Sequence, residues 1–63
     1  QFDYLLKCIK QLKDPYRMAI QLRYLQEKSY KEIAEEMSST MSNVKITLLR
    51  AKKILAEILK RNR

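Results

Sequence analysis

The side chains that could bind a ligand in this sequence are concentrated between residues 40 and 53. Thr40, Ser42 and Asn43 carry hydroxyl and amide groups at the point where the last helix is predicted to begin. Free backbone N–H groups and the helix dipole favour an anion at such an end, so these residues are candidates for phosphate contacts. Thr40 is also a suitable N-cap for that helix.

Farther along the same predicted helix, one face combines two cations with two aliphatic side chains. With Val44 on the core side, the opposite face holds Ile46, Leu49, Arg50 and Lys53. Arginine can donate a forked pair of hydrogen bonds to guanine, and aliphatic groups fit the thymine methyl group. These residue types predict a helix that reads double-stranded DNA, with Lys53 on a phosphate. Two alternatives stay open: the cations form a solvated surface, or the aliphatic pair faces a protein partner or packs against the first helix.

The net charge agrees with an anionic partner. The chain has 14 Lys and Arg against 7 Asp and Glu, a formal charge of +7, which favours nucleic acid first and an anionic membrane second. Its apolar runs are too short to span a bilayer. One cysteine and no histidine predict neither a disulfide nor a zinc site. Glycine is absent, which excludes a glycine-rich phosphate loop, and no side chain lies beside a recognisable catalytic base, so we expect no enzyme, no cofactor and no metal.

Four amphipathic segments must position these residues, and the apolar spacing predicts a helix for each. The predicted ranges are 1–12, 15–26, 29–37 and 41–60. The fold class is therefore all-α, a small bundle of four helices whose third and fourth helices form a helix-turn-helix with a long C-terminal recognition helix. We expect residues 1–63 to be a single domain cut from a longer, cytoplasmic protein, because neither an initiating Met nor a signal-peptide pattern is present.

Local signals predict where the second and third helices begin. Asp14 followed by Pro15 is typical of an N-cap and a first helical residue. Ser29 and Glu32 match the capping box, in which each side chain accepts a hydrogen bond from the other residue's backbone N–H. Ala34 is small where the fourth helix must approach closely.

The second helix is predicted to be the centre of the bundle, because its apolar residues form two stripes. One stripe contains Met18, Leu22 and Leu25, and the other contains Tyr16, Ile20 and Tyr24. In the first helix, Phe2 belongs to the apolar stripe, and Cys8 is expected to be a small buried or half-buried residue.

Three blocks of residues follow one another in an order and spacing that is similar to a known family. They are Leu22-Arg23-Tyr24-Leu25, Ser29-Tyr30-Lys31-Glu32-Ile33-Ala34, and Val44-Lys45 followed by Leu48, Arg50 and Ala51. Together they resemble region 4 of bacterial sigma factors, especially the small extracytoplasmic-function group. The resemblance runs from about Leu12 to Leu55.

This resemblance implies that the fourth helix enters the major groove of the −35 promoter element, as part of the RNA polymerase holoenzyme. By position, the family's base contacts fall on Lys45, Ile46, Leu49 and Arg50. Its phosphate contacts fall near Thr40, Ser42 and Asn43. The first two helices and the start of the third would meet the flap of the polymerase β subunit or an anti-sigma factor.

The sequence departs from this family in two places. The turn usually contains Gly followed by a branched apolar residue, whereas this chain has Ser38 and Ser39. Ser38 would then adopt the turn at a conformational cost. On the reading face, relatives often carry Ser or Arg where this chain has Ile46, and Leu49 follows. This face therefore offers fewer hydrogen-bonding side chains to the base edges than is usual in the family.

Other functions are compatible with parts of the pattern. A LuxR-type response-regulator output domain also has four helices and a Glu-Ile-Ala motif, although Arg50-Ala51-Lys52-Lys53 favours a sigma factor. A protein-binding module, held by an anti-sigma factor or serving as a polymerase adaptor, would explain an apolar Ile46 and Leu49. An amphipathic membrane peptide fits the charge but not a capped second helix that is apolar on two sides.

Overall fold

A computed structural model describes residues 2–61 of the chain, and these residues form helices and no strand. The helices are α1 (Phe2–Lys10), α2 (Tyr16–Ile20), α3 (Tyr30–Glu36) and α4 (Met41–Arg61). A π-helical segment, Gln21–Leu25, continues α2 without a break. The predicted all-α bundle of four helices is confirmed, and the predicted start of the first helix at Gln1 lies outside the described residues.

The core lies where α4 crosses the three shorter helices. Its buried side chains are Cys8, Ile9, Leu12, Ala19, Ile20, Leu22, Ile33, Ala34, Val44, Leu48, Ala51 and Ile58. On α4 the spacing of Val44, Leu48 and Ala51 is one turn, so a single stripe faces the other helices along most of its length. Ala51 is fully buried and Ala34 nearly so, which lets neighbouring backbones approach α4 closely.

The predicted two-sided burial of the second helix is only partly correct. Leu22 is buried, but Met18 is 44% exposed and Tyr24 is 49% exposed. After Ile20 the backbone N–H groups donate to the carbonyl five residues earlier, as in the 3.0 Å bond from the Gln26 N–H to the Gln21 carbonyl. A π turn holds more residues than an α turn. Beyond Ile20, the stripes drawn with α-helical spacing therefore drift away from the core, whereas Met18 is already exposed on α2, before the π-helical segment begins.

Two further expectations were wrong at helix N-termini. Phe2 is 64% exposed, because α1 contributes its buried residues, Cys8 and Ile9, from its C-terminal half. Asp14 does not cap α2: the N-cap position is Pro15, without a side-chain hydrogen bond. The Asp14 carboxylate instead accepts a 3.4 Å hydrogen bond from Arg17.

Within residues 2–61, none of the helices combines the length and the apolar character needed to cross a membrane.

Candidate nucleic-acid interface

Helix α3 is fixed at its N-terminus by the predicted capping box. The Ser29 N–H donates to the Glu32 carboxylate at 2.8 Å, and the Glu32 N–H donates to the Ser29 hydroxyl at 3.1 Å. These bonds lower the pKa of Glu32, mainly through the Ser29 backbone N–H. The start of α3, and hence the direction in which it leads into the turn, is set by residues only three positions apart.

The turn between α3 and α4 depends on a left-handed serine. Ser38 has φ of 51°, and its N–H donates to the Glu35 carbonyl at 3.3 Å. The Ser39 N–H reaches back to the Ala34 carbonyl at 2.8 Å. These two bonds form a Schellman motif, which ends α3 sharply and usually has glycine at the left-handed position. The predicted turn is thus built without the glycine that is typical of it.

Thr40 then caps α4, as predicted. Its hydroxyl accepts a 3.1 Å hydrogen bond from the Asn43 N–H, and its carbonyl accepts one of 2.9 Å from the Val44 N–H. The first amides of a helix have no partner within the helix. Once Thr40 has taken the Asn43 amide, the first-turn amides of Met41 and Ser42 remain as the donors for an anion at this end.

All of the sequence-predicted contact residues lie on one exposed surface, which we call the reading face. It consists of Thr40, Ser42, Asn43, Lys45, Ile46, Leu49, Arg50 and Lys53, each of them exposed. Positions 46, 49, 50 and 53 form a single row along α4, because residues three and four apart are neighbours on a helix. Ile46 is 48% exposed and Leu49 is 63% exposed, so neither is packed against α1 as one alternative proposed.

One aromatic ring connects the reading face to the rest of the bundle, a role that the sequence pattern did not reveal. The Lys45 ammonium lies 5.8 Å from the centre of the Tyr30 ring, and the Arg23 guanidinium lies 4.9 Å from it. Arg23 also donates a 3.0 Å hydrogen bond to the Lys28 carbonyl. Cations over an aromatic face are attracted by its quadrupole. Tyr30 therefore links the π-helical segment, α3 and α4.

Two other cations are held by partners that are not part of the reading face. Lys52 lies 5.4 Å from the centre of the Tyr24 ring, and the Tyr24 hydroxyl raises the pKa of Lys52. Lys28 forms a 2.8 Å ion pair with Glu36, which raises the pKa of Lys28. Within residues 2–61, Arg50 and Lys53 form neither an ion pair nor a contact with an aromatic ring, and both are exposed on α4.

A groove opens on another side of the molecule, between α1, α2 and α4. Its lining residues are Leu5, Ile9, Ile20, Tyr24, Lys52 and Leu55. Five of the six are apolar or aromatic, and Lys52 contributes the one charge. No group of three or more His, Cys, Asp or Glu residues in the described part of the chain is arranged to hold a metal ion.

A short capped helix, a tight turn and a long helix with an exposed basic face define the helix-turn-helix class of DNA-binding domains. The family model described as Sigma-70, region 4 matches residues 2–55. The chain belongs to this family. It is accordingly a DNA-binding domain of transcription initiation, whose partners are promoter DNA and RNA polymerase. Neither the curated proteins nor the solved structures gave a match.

Proposed function

We propose that this domain is region 4 of an extracytoplasmic-function sigma factor and that α4 recognises the −35 promoter element in the major groove. The observation that carries this proposal is the reading face: a continuous exposed surface on α4, opposite the buried row of Val44, Leu48 and Ala51. A helix in the major groove must present one face to base edges while the other is held rigidly by the protein. The caps at Ser29 and Thr40 supply that rigidity.

The reading face divides into two kinds of contact. Phosphate contacts are assigned to Thr40, Ser42, Asn43 and Lys53. Base contacts are assigned to Lys45, Ile46, Leu49 and Arg50. Phosphate contacts set the position of the helix and base contacts select the sequence. Lys45 reaches DNA from beside Tyr30, so its contact with the ring and its contact with DNA compete for the same ammonium.

The base-reading role of Arg50 is tested by comparing two cations on the same row of α4. Arg50→Ala is expected to weaken binding to a selected duplex about 5- to 150-fold, and binding to random duplex far less, because a forked contact with guanine is worth about 1–3 kcal/mol of discrimination. Lys53→Ala serves as the matched control and should weaken both about equally. Fluorescence titrations at two or more salt concentrations measure both effects. Equal losses for Arg50→Ala on the two duplexes would contradict base reading.

The salt dependence of the same titrations tests whether phosphates are contacted at all. Each neutralised phosphate releases counterions, so affinity should fall steeply as salt is added. An affinity that did not change with salt would show that phosphates are not contacted, and the absence of binding to any duplex would indicate a protein-only interface instead. The exposed Ile46 and Leu49 are the observation that favours this second candidate function, a polymerase adaptor or anti-sigma target that binds no DNA.

We further propose that the groove between α1, α2 and α4 docks on the flap of the polymerase β subunit, in the cytoplasm. Its apolar lining suits a helix or loop with aliphatic side chains, and none of its lining residues belongs to the reading face, so the two partners would use different side chains. Simultaneous contacts raise the effective concentration of the domain at the promoter. An anti-sigma factor that covers the same groove would compete with polymerase.

The docking proposal is tested with two exposed residues of one helical stretch. Tyr24 is 49% exposed and lines the groove, whereas Met18 is 44% exposed and does not line it. Tyr24→Ala should weaken capture of an isolated β flap fragment several-fold, and Met18→Ala should leave it unchanged. If both variants capture the flap as well as the parent chain, the flap binds elsewhere.

A further inference from the structure

Two aliphatic side chains stand exposed at the centre of the reading face. Ile46 is 48% exposed and Leu49 is 63% exposed, and Arg50 and Lys53 continue the same row. Single exposed aliphatic residues are ordinary on protein surfaces. Two of them side by side, where a DNA-reading helix needs chemical selectivity, restrict what the helix can recognise. Neither side chain can donate or accept a hydrogen bond.

We infer that Ile46 and Leu49 read the C5 methyl groups of thymines, and that the recognised site holds T·A pairs beside the guanine read by Arg50. This inference rests on the proposed function. In the major groove, thymine is distinguished from the other bases by its methyl group. An aliphatic side chain on that methyl removes apolar surface of both from water. Against any other base edge, the aliphatic side chain would displace the water that hydrogen-bonds to the base and would offer no hydrogen bond in return.

The spacing on α4 predicts where these thymines lie. Residues four apart on a helix have Cβ atoms about 5–6 Å apart, and successive base pairs are separated by about 3.4 Å. Ile46 and Arg50 therefore read base pairs one or two steps apart. Leu49 lies three residues from Ile46 on the same row, so it reads a base pair within one or two steps of the pair that Ile46 reads.

The surrounding charges favour DNA over a second copy of the chain as the occupant of this aliphatic pair. Lys45, Arg50 and Lys53 are exposed around it, in a chain with a formal charge of +7. A twofold contact through this surface would bring the same patch against itself. Like charges would then face each other, whereas a DNA groove supplies phosphates for the cations and methyl groups for the aliphatic pair.

The test removes the methyl groups from the DNA and the aliphatic groups from the protein. Duplexes are first selected by the 63-residue chain from a randomised pool, and each thymine of the selected site is then replaced singly by deoxyuridine. At one or two positions this should lower affinity about three- to fivefold, the value expected for one buried methyl group. Ile46→Ala should abolish the loss of affinity at the thymine that Ile46 contacts, and Leu49→Ala should abolish it at the thymine that Leu49 contacts.

A control residue separates methyl reading from general effects on the helix. Ile54 is also aliphatic, on α4 and 38% exposed, but it lines a different cavity with Leu12 and Tyr16. Ile54→Ala should keep the full sensitivity to deoxyuridine. Circular dichroism checks that each variant is folded. We expect all of them to fold, because the substituted side chains are exposed.

The other outcomes each overturn the inference. If the chain selects a sequence but binds deoxyuridine duplexes as well as thymine duplexes, methyl reading is wrong and promoter recognition stands. Methyl reading is also wrong if the Ile46→Ala and Leu49→Ala variants lose as much affinity for deoxyuridine duplexes as the Ile54→Ala control does. It is wrong as well if sedimentation shows a dimer of the chain that Ile46→Ala dissociates. If no sequence is selected from the pool, sequence-specific recognition and methyl reading both fail.

Discussion

Replacing Ser38 by glycine should stabilise this domain, because the turn of its helix-turn-helix places a serine in the left-handed region. Ser38 has φ of 51°, and the bonds from the Ser38 and Ser39 amides to the end of α3 require that conformation. A left-handed conformation costs a non-glycine residue about 1–2 kcal/mol. Glycine removes this cost but gives the unfolded chain more freedom, which costs about 0.4–1 kcal/mol. The net gain should be about 0.5–1 kcal/mol.

The gain is measurable as a shift in thermal unfolding, followed by circular dichroism. For a domain of this size, 1 kcal/mol corresponds to about 4–8 °C, so Ser38→Gly should raise the Tm by about 2–8 °C. Ser39→Gly is the matched control, since among the described residues positive φ is found only at Glu27 and Ser38. It should lower the stability by about 0.4–1 kcal/mol.

The reasoning would be refuted if Ser38→Gly unfolded at or below the temperature of the parent chain. A rise of equal size for Ser39→Gly would also refute it, because the gain would then not depend on the left-handed conformation. Urea unfolding of the three chains checks that the slope of free energy with denaturant is unchanged, so that the midpoints report stability.

Three more substitutions, together with one control, test the elements that hold the reading face. Glu27→Gly, at the other left-handed residue (φ of 55°), should raise the Tm in the same way as Ser38→Gly in thermal unfolding. Ala34→Leu should overpack the contact of α3 with the core and cost about 1–3 kcal/mol in urea unfolding, whereas Ala56→Leu, at an exposed position of α4, should change stability by less than about 0.5 kcal/mol. The lowered pKa of Glu32 means that the stability it contributes is present above its ordinary value of 4.5 and is lost as pH falls through the folded value. Glu32→Gln should remove that part of the decline in urea midpoints measured from pH 7 to pH 3, and an unchanged decline would show that other carboxylates cause it.

Features that depend on neighbouring residues could be predicted from the sequence. The capping box joins Ser29 to Glu32, and the cap of α4 joins Thr40 to Asn43, so in each case both partners lie within one turn. The one-turn spacing of Val44, Leu48 and Ala51 likewise identified the buried side of α4 and, with it, the exposed reading face. The same kind of rule failed at Asp14, because the N-cap position of α2 is Pro15, one residue later, and the Asp14 carboxylate accepts a hydrogen bond from Arg17 instead.

Features that depend on packing could not be predicted in this way. The π-helical segment Gln21–Leu25 changes the hydrogen-bond register in a stretch whose apolar pattern is compatible with an ordinary α-helix. As a result Tyr24 turned out to be half-exposed, over Lys52 and at the edge of the groove. The apolar spacing of this stretch does not distinguish the two hydrogen-bond registers, so only the folded structure reveals the shift.

The sequence by itself therefore determined the basic charge, which follows from composition alone. It also determined the caps of α3 and α4 and the exposed side of α4, since these depend on side chains within a turn or two of one another. Tertiary structure alone decided which residues anchor that face to the bundle and where the apolar groove forms. Tyr30 meets Arg23 and Lys45 across three elements, and the groove gathers Leu5 and Leu55 from opposite ends of the chain. Such contacts join residues far apart in sequence, whose meeting depends on how all the helices pack together.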